Sequence, residues 1–229
     1  MQGSCQTAPT TATRRAFSLV ELLVVIGILS LLLVAAFPVF NNNSNSARTA
    51  SREIIKAYLQ QARAHAIASG NATAFAIPTL TSDPTLGARS AALVEVESPA
   101  GTYIPIKQKD PAGNPLQNDS IVQRFTKLSG NFYFLSSSQF SPPQSTILDS
   151  ALPLSVTANG RTIPCLAIIF SPNGQLIHPP PGTPIRIAIG QAAKRNGSLT
   201  LTDQNAGQPT FELLQVNRLT GRTKFYQAP

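Results

Sequence analysis

Residues 16–26 read AFSLVELLVVI, and this stretch decides how the rest of the chain is organised. Glu21 is the only charged side chain between residues 16 and 47, and the 19 residues of the segment 22–40 carry none. As an α-helix, residues 17–40 would be about 36 Å long, which exceeds a hydrocarbon core of about 30 Å. The pattern therefore predicts a membrane-spanning helix, preceded by a polar segment that ends in Arg14-Arg15.

Three interpretations of this apolar stretch compete. It is compatible with a plain membrane anchor. It is also compatible with a secretory signal peptide, in which residues 34–36 (Val-Ala-Ala) would be the small-residue cleavage site. The third interpretation gives Glu21 a function, because a carboxylate within an apolar helix is costly unless it has a partner. The simpler explanation of Glu21 is that it lies in the first helical turn and complements the helix dipole.

The order of residues in this stretch closely resembles the N-terminal signature of type IV prepilins and of type II secretion pseudopilins. The shared features are a basic pair, a small residue, an aromatic residue, a glutamate and a long apolar run. In this family a prepilin peptidase cleaves just before the aromatic residue and methylates the new amino terminus. The resemblance implies a leader over residues 1–16, cleavage between Ala16 and Phe17, and N-methylation of Phe17. The family usually has glycine before the cleaved bond, and Ala16 is the nearest small substitute.

The same resemblance implies roles for two residues beyond the cleavage point. Glu21 would become the fifth residue of the mature protein, and it would pair with the Phe17 amine of a neighbouring subunit during assembly. An ion pair of this kind is strong in an apolar phase, because a low dielectric constant strengthens the attraction. Pro38 matches the spacing of the family's helix-kinking proline.

A second helical pattern covers residues 41–70. Four apolar residues recur at the spacing of one helix face: Ile55, Leu59, Ala62 and Ala66. Four basic residues are predicted to share much of the opposite side: Arg48, Arg52, Lys56 and Arg63. We expect this amphipathic helix to continue the first one, to be bent near Pro38, to pack on a globular domain and to end at Gly70-Asn71.

From residue 71 onward, short β-type runs alternate with Pro, Gly, Asn and Asp turn signals. The predicted strands cover residues 72–77, 91–97, 121–125, 132–135, 163–170, 185–189, 211–216 and 223–226. The fold class predicted from the whole chain is α+β and pilin-like. In that fold, a long N-terminal helix, first transmembrane and then amphipathic, is followed by a mainly antiparallel β-rich domain over residues 71–229.

The C-terminal region is similar to the H-type pseudopilin group (GspH/FimT). The similarity is carried by residues 63–71, 168–175 and 220–222, whereas residues 79–160 match nothing in that group and are interpreted as inserted loops. It implies a minor pseudopilin of the bacterial inner membrane with a cytoplasmic N-terminus and a periplasmic C-terminal domain. The implied partners are a prepilin peptidase, other pilin or pseudopilin subunits, the inner-membrane assembly platform of a type II secretion system or type IV pilus, and membrane lipid.

The sequence offers little material for catalysis. No Gly-X-Ser-X-Gly motif or phosphate-binding loop is present. Glu95 and Glu97 alternate on one strand and could form a paired-acid site, although two solvated glutamates explain them as well. Asp110 and Asp119 could bind calcium but are too few to favour it over a plain loop. We expect no enzymatic activity, no cofactor and no metal site, which argues against a membrane-anchored or exported hydrolase.

The charge of the chain leaves room for a nucleic-acid partner. The formal charge of +8 falls by two, to +6, when a leader containing Arg14 and Arg15 is removed. Three basic residues near the C-terminus, next to a Gly-Arg pair, could contact phosphates: Arg218, Arg222 and Lys224. The resulting alternative function is a DNA-binding minor pilin for DNA uptake. A solvated basic edge or a surface facing neighbouring subunits would explain the same residues.

Overall fold

The computed structural model describes residues 19–41, 43–106, 121–139, 146–202, 204–205, 208–209 and 211–227. The chain divides into two compact units, one ending at residue 43 and the other covering residues 44–229. The predicted order of elements, an N-terminal helix followed by a mainly antiparallel β domain, is confirmed.

Helix α1 (Leu19–Asn41) accounts for the described part of the first unit. Its described aliphatic side chains are exposed within this unit, from Leu19 at 78% to Val25 at 47%. A helix that is apolar on all sides needs an apolar environment to cover it. Within the described part of the chain, no helix combines the length and the apolarity needed to cross a membrane. The side chains of residues 31–44 lie outside the description, and the membrane-spanning segment stays a prediction.

Helix α2 (Asn43–Ser69) is the amphipathic helix that the sequence predicted. The four apolar residues predicted to form one face are fully buried, each at 0% exposure: Ile55, Leu59, Ala62 and Ala66. The helix ends at Gly70, which has a left-handed φ of 71° and donates its N–H to the carbonyl of Ala66 at 3.2 Å. A left-handed glycine is a common helix terminator, and the predicted stop at this position is confirmed.

Fourteen short strands and one short helix follow α2 in the described regions. The strands are β1 (Ala72–Pro78), β2 (Ser90–Glu97), β3 (Ile104–Pro105), β4 (Ile121–Lys127), β5 (Phe132–Leu135), β6 (Leu152–Ala158), β7 (Arg161–Phe170), β8 (Leu176–His178), β9 (Arg186–Arg195), β10 (Ser198–Leu201), β11 (Gln204–Asn205), β12 (Gln208–Pro209), β13 (Glu212–Val216) and β14 (Thr223–Gln227). Helix α3 (Ile147–Ser150) precedes β6.

The first sheet has seven strands, with β3, β2, β1, β7 and β6 in that order, β4 paired with β2 and β8 paired with β7. All of its printed pairings are antiparallel. The edge strand β6 contacts β3 and β4 at the other edge, so the sheet curls on itself. The concave side encloses a buried apolar cluster that includes Val94, Val156 and Ala167.

The second sheet has five strands, with β10, β9, β13 and β14 in that order and β5 paired with β9. Helix α2 lies across both sheets and shares one core with them. Tyr58 of α2 contacts Phe75 of the first sheet edge to face, at 6.5 Å between ring centroids. Phe75 contacts Phe134 of the second sheet in the same way at 6.2 Å. The helix and the two sheets therefore form one packed unit.

All eight predicted strands are present, with ends that differ by up to six residues. Strands β3, β6, β8, β10, β11 and β12 were not predicted. Residues 79–160, which we interpreted as inserted loops, hold β2 to β6. Among these strands, β2 pairs with β1 in the first sheet and β5 pairs with β9 in the second.

Candidate functional site

The N-terminal signature begins outside the described residues and continues into α1. Ala16 and Phe17, the predicted cleavage and methylation residues, precede the first described residue, Leu19. Glu21 lies in the first turn of α1 and is exposed within its unit. An acidic side chain at this position complements the positive end of the helix dipole. Pro38 lies within α1, three residues before its end at Asn41, and a bend at Pro38 stays a prediction.

Three segments that carry the H-type resemblance meet at the C-terminal end of α2. Arg63 of α2 donates from Nε to the carbonyl of Gly174 at 3.1 Å and from Nη1 to the carbonyl of Thr220 at 2.5 Å. Gly174 lies in the turn between β7 and β8, and Thr220 lies in the turn between β13 and β14. One guanidinium therefore joins the helix to a turn of each sheet.

Both turns bring glycine against Arg63. Gly174 has a φ of 76° and Gly221 a φ of 65°, in the left-handed region that favours glycine. A β-carbon at Gly174 would lie 2.7 Å from Cδ1 of Ile67 and 3.0 Å from Nε of Arg63. A β-carbon at Gly221 would lie 3.2 Å from Cδ of Arg63. The two glycines thus provide both the turn conformation and the space that the arginine occupies.

A shallow groove of about 390 Å³ lies beside this junction. Helix α2 lines one side and the β13–β14 turn lines the other, through Gln60, Arg63, Ala64, Ile67, Thr220, Gly221 and Arg222. Ile67 of α2 is 53% exposed, and Leu219 in the β13–β14 turn is 62% exposed. The surface around the groove therefore combines large apolar side chains with basic ones.

A buried ion pair joins the N-terminal half of α2 to the second sheet. Glu212, the first residue of β13, is 3% exposed and accepts two hydrogen bonds from the guanidinium of Arg52. Nε of Arg48 lies 3.4 Å from Oε1 of the same carboxylate. The guanidinium of Arg52 also lies 5.3 Å from the ring centroid of Phe225 in β14.

This ion pair corrects the prediction that Arg48 and Arg52 lie on the side of α2 opposite its apolar stripe. Arg48 and Arg52 extend the 4-3-4-3-4 spacing of the buried apolar stripe toward the helix N-terminus, so they face the second sheet. The hydrogen bonds to Glu212 raise the pKa of Arg52, although its burial acts in the opposite direction. The sequence carried a usable signal, because the spacing of these residues matched that of Ile55 and Leu59.

The structure places Arg218 in the fold rather than on an open basic edge. Its guanidinium donates hydrogen bonds to four backbone carbonyls. The acceptors are Leu176 at 3.2 Å, Pro180 at 2.9 Å, Thr183 at 3.1 Å, and Pro179. Leu176 is the first residue of β8, and the other three acceptors lie in the loop between β8 and β9. Arg218 therefore stabilises this loop.

Arg222 and Lys224 are exposed. Nζ of Lys224 lies 5.2 Å from the ring centroid of Tyr226. The strand registers place Gln215 of β13 opposite both Lys224 and Arg186, so two cations lie in one row across the second sheet. Of the three predicted contacts, Arg222 and Lys224 thus present cations to solvent.

The contacts and burial of the other candidate residues do not form a catalytic or metal site within the described regions. Oε1 of Glu95 lies 3.5 Å from Nδ1 of His65 on α2, whereas Glu97 is exposed. Cys165 is buried, and burial raises the pKa of its thiol to about 12. Within the described residues, no group of three or more His, Cys, Asp or Glu side chains could hold a metal ion. Asp110 and Asp119, considered for calcium, lie outside the described residues.

Two titratable groups are perturbed near the loop that Arg218 binds. Burial lowers the pKa of His178, a hydrogen bond with the backbone of Ser150 raises it, and the positive charge of Arg218 lowers it further, with a net decrease. Burial raises the pKa of Asp149, but hydrogen bonds from Thr146 and Ser137 outweigh it and hold this pKa below its ordinary value.

Comparison with known protein families gives one match, and it covers the segment that the sequence singled out. Residues 11–37 match the family model of the prokaryotic N-terminal methylation motif. No curated protein and no solved structure matches the chain. The motif implies processing by a prepilin peptidase and assembly with other pilins, and it is consistent with a membrane-anchored N-terminus. The chain therefore carries, over residues 11–37, the N-terminal methylation motif of type IV prepilin-like proteins.

Proposed function

We propose that this protein is a minor pseudopilin or pilin subunit of a type II secretion pseudopilus or a type IV pilus. Its leader, residues 1–16, would be removed between Ala16 and Phe17, and the new amino terminus at Phe17 would be methylated. The observation that carries the proposal is the match of residues 11–37 to the methylation motif. This motif indicates a structural subunit rather than an enzyme.

The two units of the chain suit the two tasks of such a subunit. In α1, the described aliphatic side chains are exposed within their own unit and need a membrane or neighbouring helices to cover them. The unit over residues 44–229 has its own core, shared by α2 and both sheets. We infer that α1 anchors and assembles the subunit, while the β domain is presented on the periplasmic side. The H-type assignment belongs to this proposal and is supported by the convergence of its three segments at Arg63.

Glu21 would act as the assembly residue. Cleavage would create an ammonium group at Phe17, at the edge of the apolar helix. A carboxylate on an incoming subunit gains most from such a partner when both lie in a low-dielectric surrounding. Pairing between Glu21 of one subunit and the amine of another would therefore set the register of stacked helices, and Pro38 would bend the helix to fit the stack.

The role of Glu21 can be tested by an assembly experiment in a host that carries the machine. The variant Glu21→Ala should still be cleaved and retained in the membrane, but its incorporation into cross-linked filament fractions should fall sharply. Ser30→Ala is a matched control, because Ser30 is also a polar residue of α1 and its hydroxyl donates only to the carbonyl of Ile26. Wild-type incorporation of Glu21→Ala would contradict the proposed pairing.

A DNA-binding minor pilin for DNA uptake is the second candidate. The observation that favours it is the row formed by the partly exposed Arg186 and the exposed Lys224, with Tyr226 beside it and Arg222 in the preceding turn. The phosphates of a DNA duplex would bind the cations. Arg218 is left out of this surface because its guanidinium is bound to backbone carbonyls.

The DNA hypothesis predicts salt-dependent binding that needs two side chains. In Arg222→Gln/Lys224→Gln, affinity for double-stranded DNA should fall, and the slope of log K against log salt should decrease by about 1 per lost phosphate contact. Lys56→Gln removes an exposed cation from α2 and serves as the control. Unchanged affinity and slope in the double variant would exclude this surface as the DNA site.

A further inference from the structure

A second concave site lies where the two edges of the first sheet approach each other. Strand β4 forms one side and the β6–β7 hairpin forms the other. The pocket has a volume of about 460 Å³. Its lining combines apolar and charged side chains: Asp83, Leu86, Arg124, Phe125, Ala158, Asn159, Arg161 and Ile163. Neither the methylation motif nor the basic row of the second sheet includes any of these residues.

A β-bulge in β4 aims two adjacent side chains into this pocket. The register of β2 and β4 passes from Ala91 opposite Thr126 to Leu93 opposite Gln123. Arg124 and Phe125 therefore both stand opposite Ala92. In a regular strand, adjacent side chains point to opposite faces, and a bulge is the irregularity that changes their direction. It accounts for an arginine and its neighbouring phenylalanine lining the same cavity.

The opposite wall is held by a tight turn. Ala158 and Arg161 face each other across a two-residue loop, Asn159-Gly160, whose φ angles are 49° and 73°. Asn-Gly in this conformation is the favoured two-residue hairpin turn. The turn fixes Arg161 at the rim, and Ile163, two residues further on, is buried below it at 7% exposure.

The pocket contains three charged side chains, one carboxylate and two guanidinium groups. Oδ1 of Asp83 already accepts hydrogen bonds from Thr85 N–H at 2.6 Å, Thr85 Oγ1 at 2.6 Å and Leu86 N–H at 3.0 Å. No hydrogen bond or ion pair joins the guanidinium of Arg124 or Arg161 to another residue of the described regions. The pocket thus carries two exposed guanidinium groups beside an apolar wall. The carboxylate of Asp83 is held by Thr85 and Leu86, and the positive charge of Arg161 also helps to lower its pKa.

We propose that this pocket binds a small organic anion with an apolar body, namely a carboxylate that carries an aryl or alkyl group. The carboxylate lies between Arg124 and Arg161, where planar guanidinium groups match its geometry. The apolar body packs against Leu86, Phe125 and Ile163. Both halves of the ligand are required, because the arginines supply orientation and the apolar wall supplies the buried area.

The first test compares three probes on the wild-type full-length protein in nanodiscs, with ligand-observed NMR and empty nanodiscs as the blank. The probes are 2-naphthoate, the neutral 2-naphthalenemethanol and acetate. The proposal predicts saturable binding of 2-naphthoate and no binding of acetate, which lacks the apolar body. The affinity of 2-naphthalenemethanol should be at least about tenfold lower than that of 2-naphthoate, because the alcohol cannot form the charged hydrogen bonds. Equal binding of the neutral analogue, or no binding of 2-naphthoate, would overturn the proposal. This test does not depend on the folding of a variant.

The second test determines whether the anion binds at Arg124 and Arg161. Arg124→Gln/Arg161→Gln should weaken 2-naphthoate binding about tenfold or more. Arg195→Gln, which removes an exposed arginine from the C-terminal end of β9, should leave it unchanged. Circular dichroism and thermal unfolding of each variant verify that the fold is retained. Wild-type affinity in the double variant, or an equal loss in Arg195→Gln, would show that the anion binds elsewhere.

Discussion

Glu212 is the residue on which the contact between the N-terminal half of α2 and the second sheet depends. Its carboxylate is buried and is balanced by Arg52 and Arg48, which are themselves only partly exposed. Burying one charge is expensive unless its partners are present, so removing one member leaves the others uncompensated. The ion pair therefore fixes where the helix lies more than it adds net stability.

The change Glu212→Gln tests this role. It preserves the size of the side chain but leaves the two arginines facing a neutral amide. We expect the free energy of unfolding to fall by about 3 kcal/mol, as for other buried ion pairs that lose one partner. The measurement is urea unfolding monitored by circular dichroism. Glu97→Gln, at an exposed position, should change stability by less than about 0.5 kcal/mol, and an equally small effect of Glu212→Gln would contradict the buried-pair interpretation.

His178 gives the stability a pH dependence of known sign. Its pKa in the folded protein is below the ordinary 6.5, chiefly because burial disfavours the charged imidazolium. Below pH 6.5 the unfolded chain therefore binds the proton more readily than the folded one, and stability is lost as the pH falls toward the lower folded value. Above pH 6.5 this contribution is fully present.

The expected result is a wild-type free energy of unfolding that decreases from pH 7.5 to pH 5, and a smaller decrease in His178→Asn. Urea unfolding at each pH supplies the measurement. Identical slopes in the two proteins would mean that the His178 proton is not linked to folding.

At the scale of elements, the end of α2 is held by turns from both sheets. Gly174 and Gly221 lie against Arg63, and only glycine meets both the backbone conformation and the space at these positions. This packing links the segments on which the H-type resemblance rests. It gives those residues a structural reason to occur together.

Gly174→Ala and Gly197→Ala form a matched pair that isolates the packing at this junction. Both glycines have left-handed φ angles, 76° and 81°, so both substitutions carry a backbone cost of about 1 kcal/mol. Only at Gly174 would the new β-carbon meet Ile67 and Arg63, whereas at Gly197 no described heavy atom lies within 4 Å. In thermal unfolding, the loss of stability in Gly174→Ala should exceed the loss in Gly197→Ala by about 1 kcal/mol. Equal losses of stability in the two variants would mean that Ile67 and Arg63 move aside at no cost.

The pattern of neighbouring residues in the sequence predicted some of these elements but not others. The apolar spacing of α2 predicted its buried face, because helical periodicity is a property of neighbouring residues. The β6–β7 hairpin was missed although Asn159-Gly160 lies between two alternating apolar runs, and this dipeptide is a strong hairpin signal. Strand β6 contains Pro153, and an edge strand of the sheet accommodates proline.

At the scale of the whole molecule, the chain combines a short N-terminal methylation motif with a β domain that has its own core. The motif could be found from sequence because its chemistry is local: a small residue, an aromatic residue and a glutamate before an apolar run. The closure of the first sheet could not, since it depends on β6 approaching β3 and β4, which are distant in sequence. The pocket between β4 and the β6–β7 hairpin could not be predicted from the sequence for the same reason.

The central claim, that the mature protein begins at Phe17 as a processed prepilin, is tested most directly at its amino terminus. The protein is expressed in full in a host with a prepilin peptidase, purified from membranes and analysed by intact-mass and N-terminal peptide mass spectrometry. The predicted result is loss of residues 1–16 and a single methyl group on the amine of Phe17. A mature chain that begins at Phe37, as ordinary signal-peptide cleavage would produce, or an uncleaved chain that begins at Met1, would contradict it.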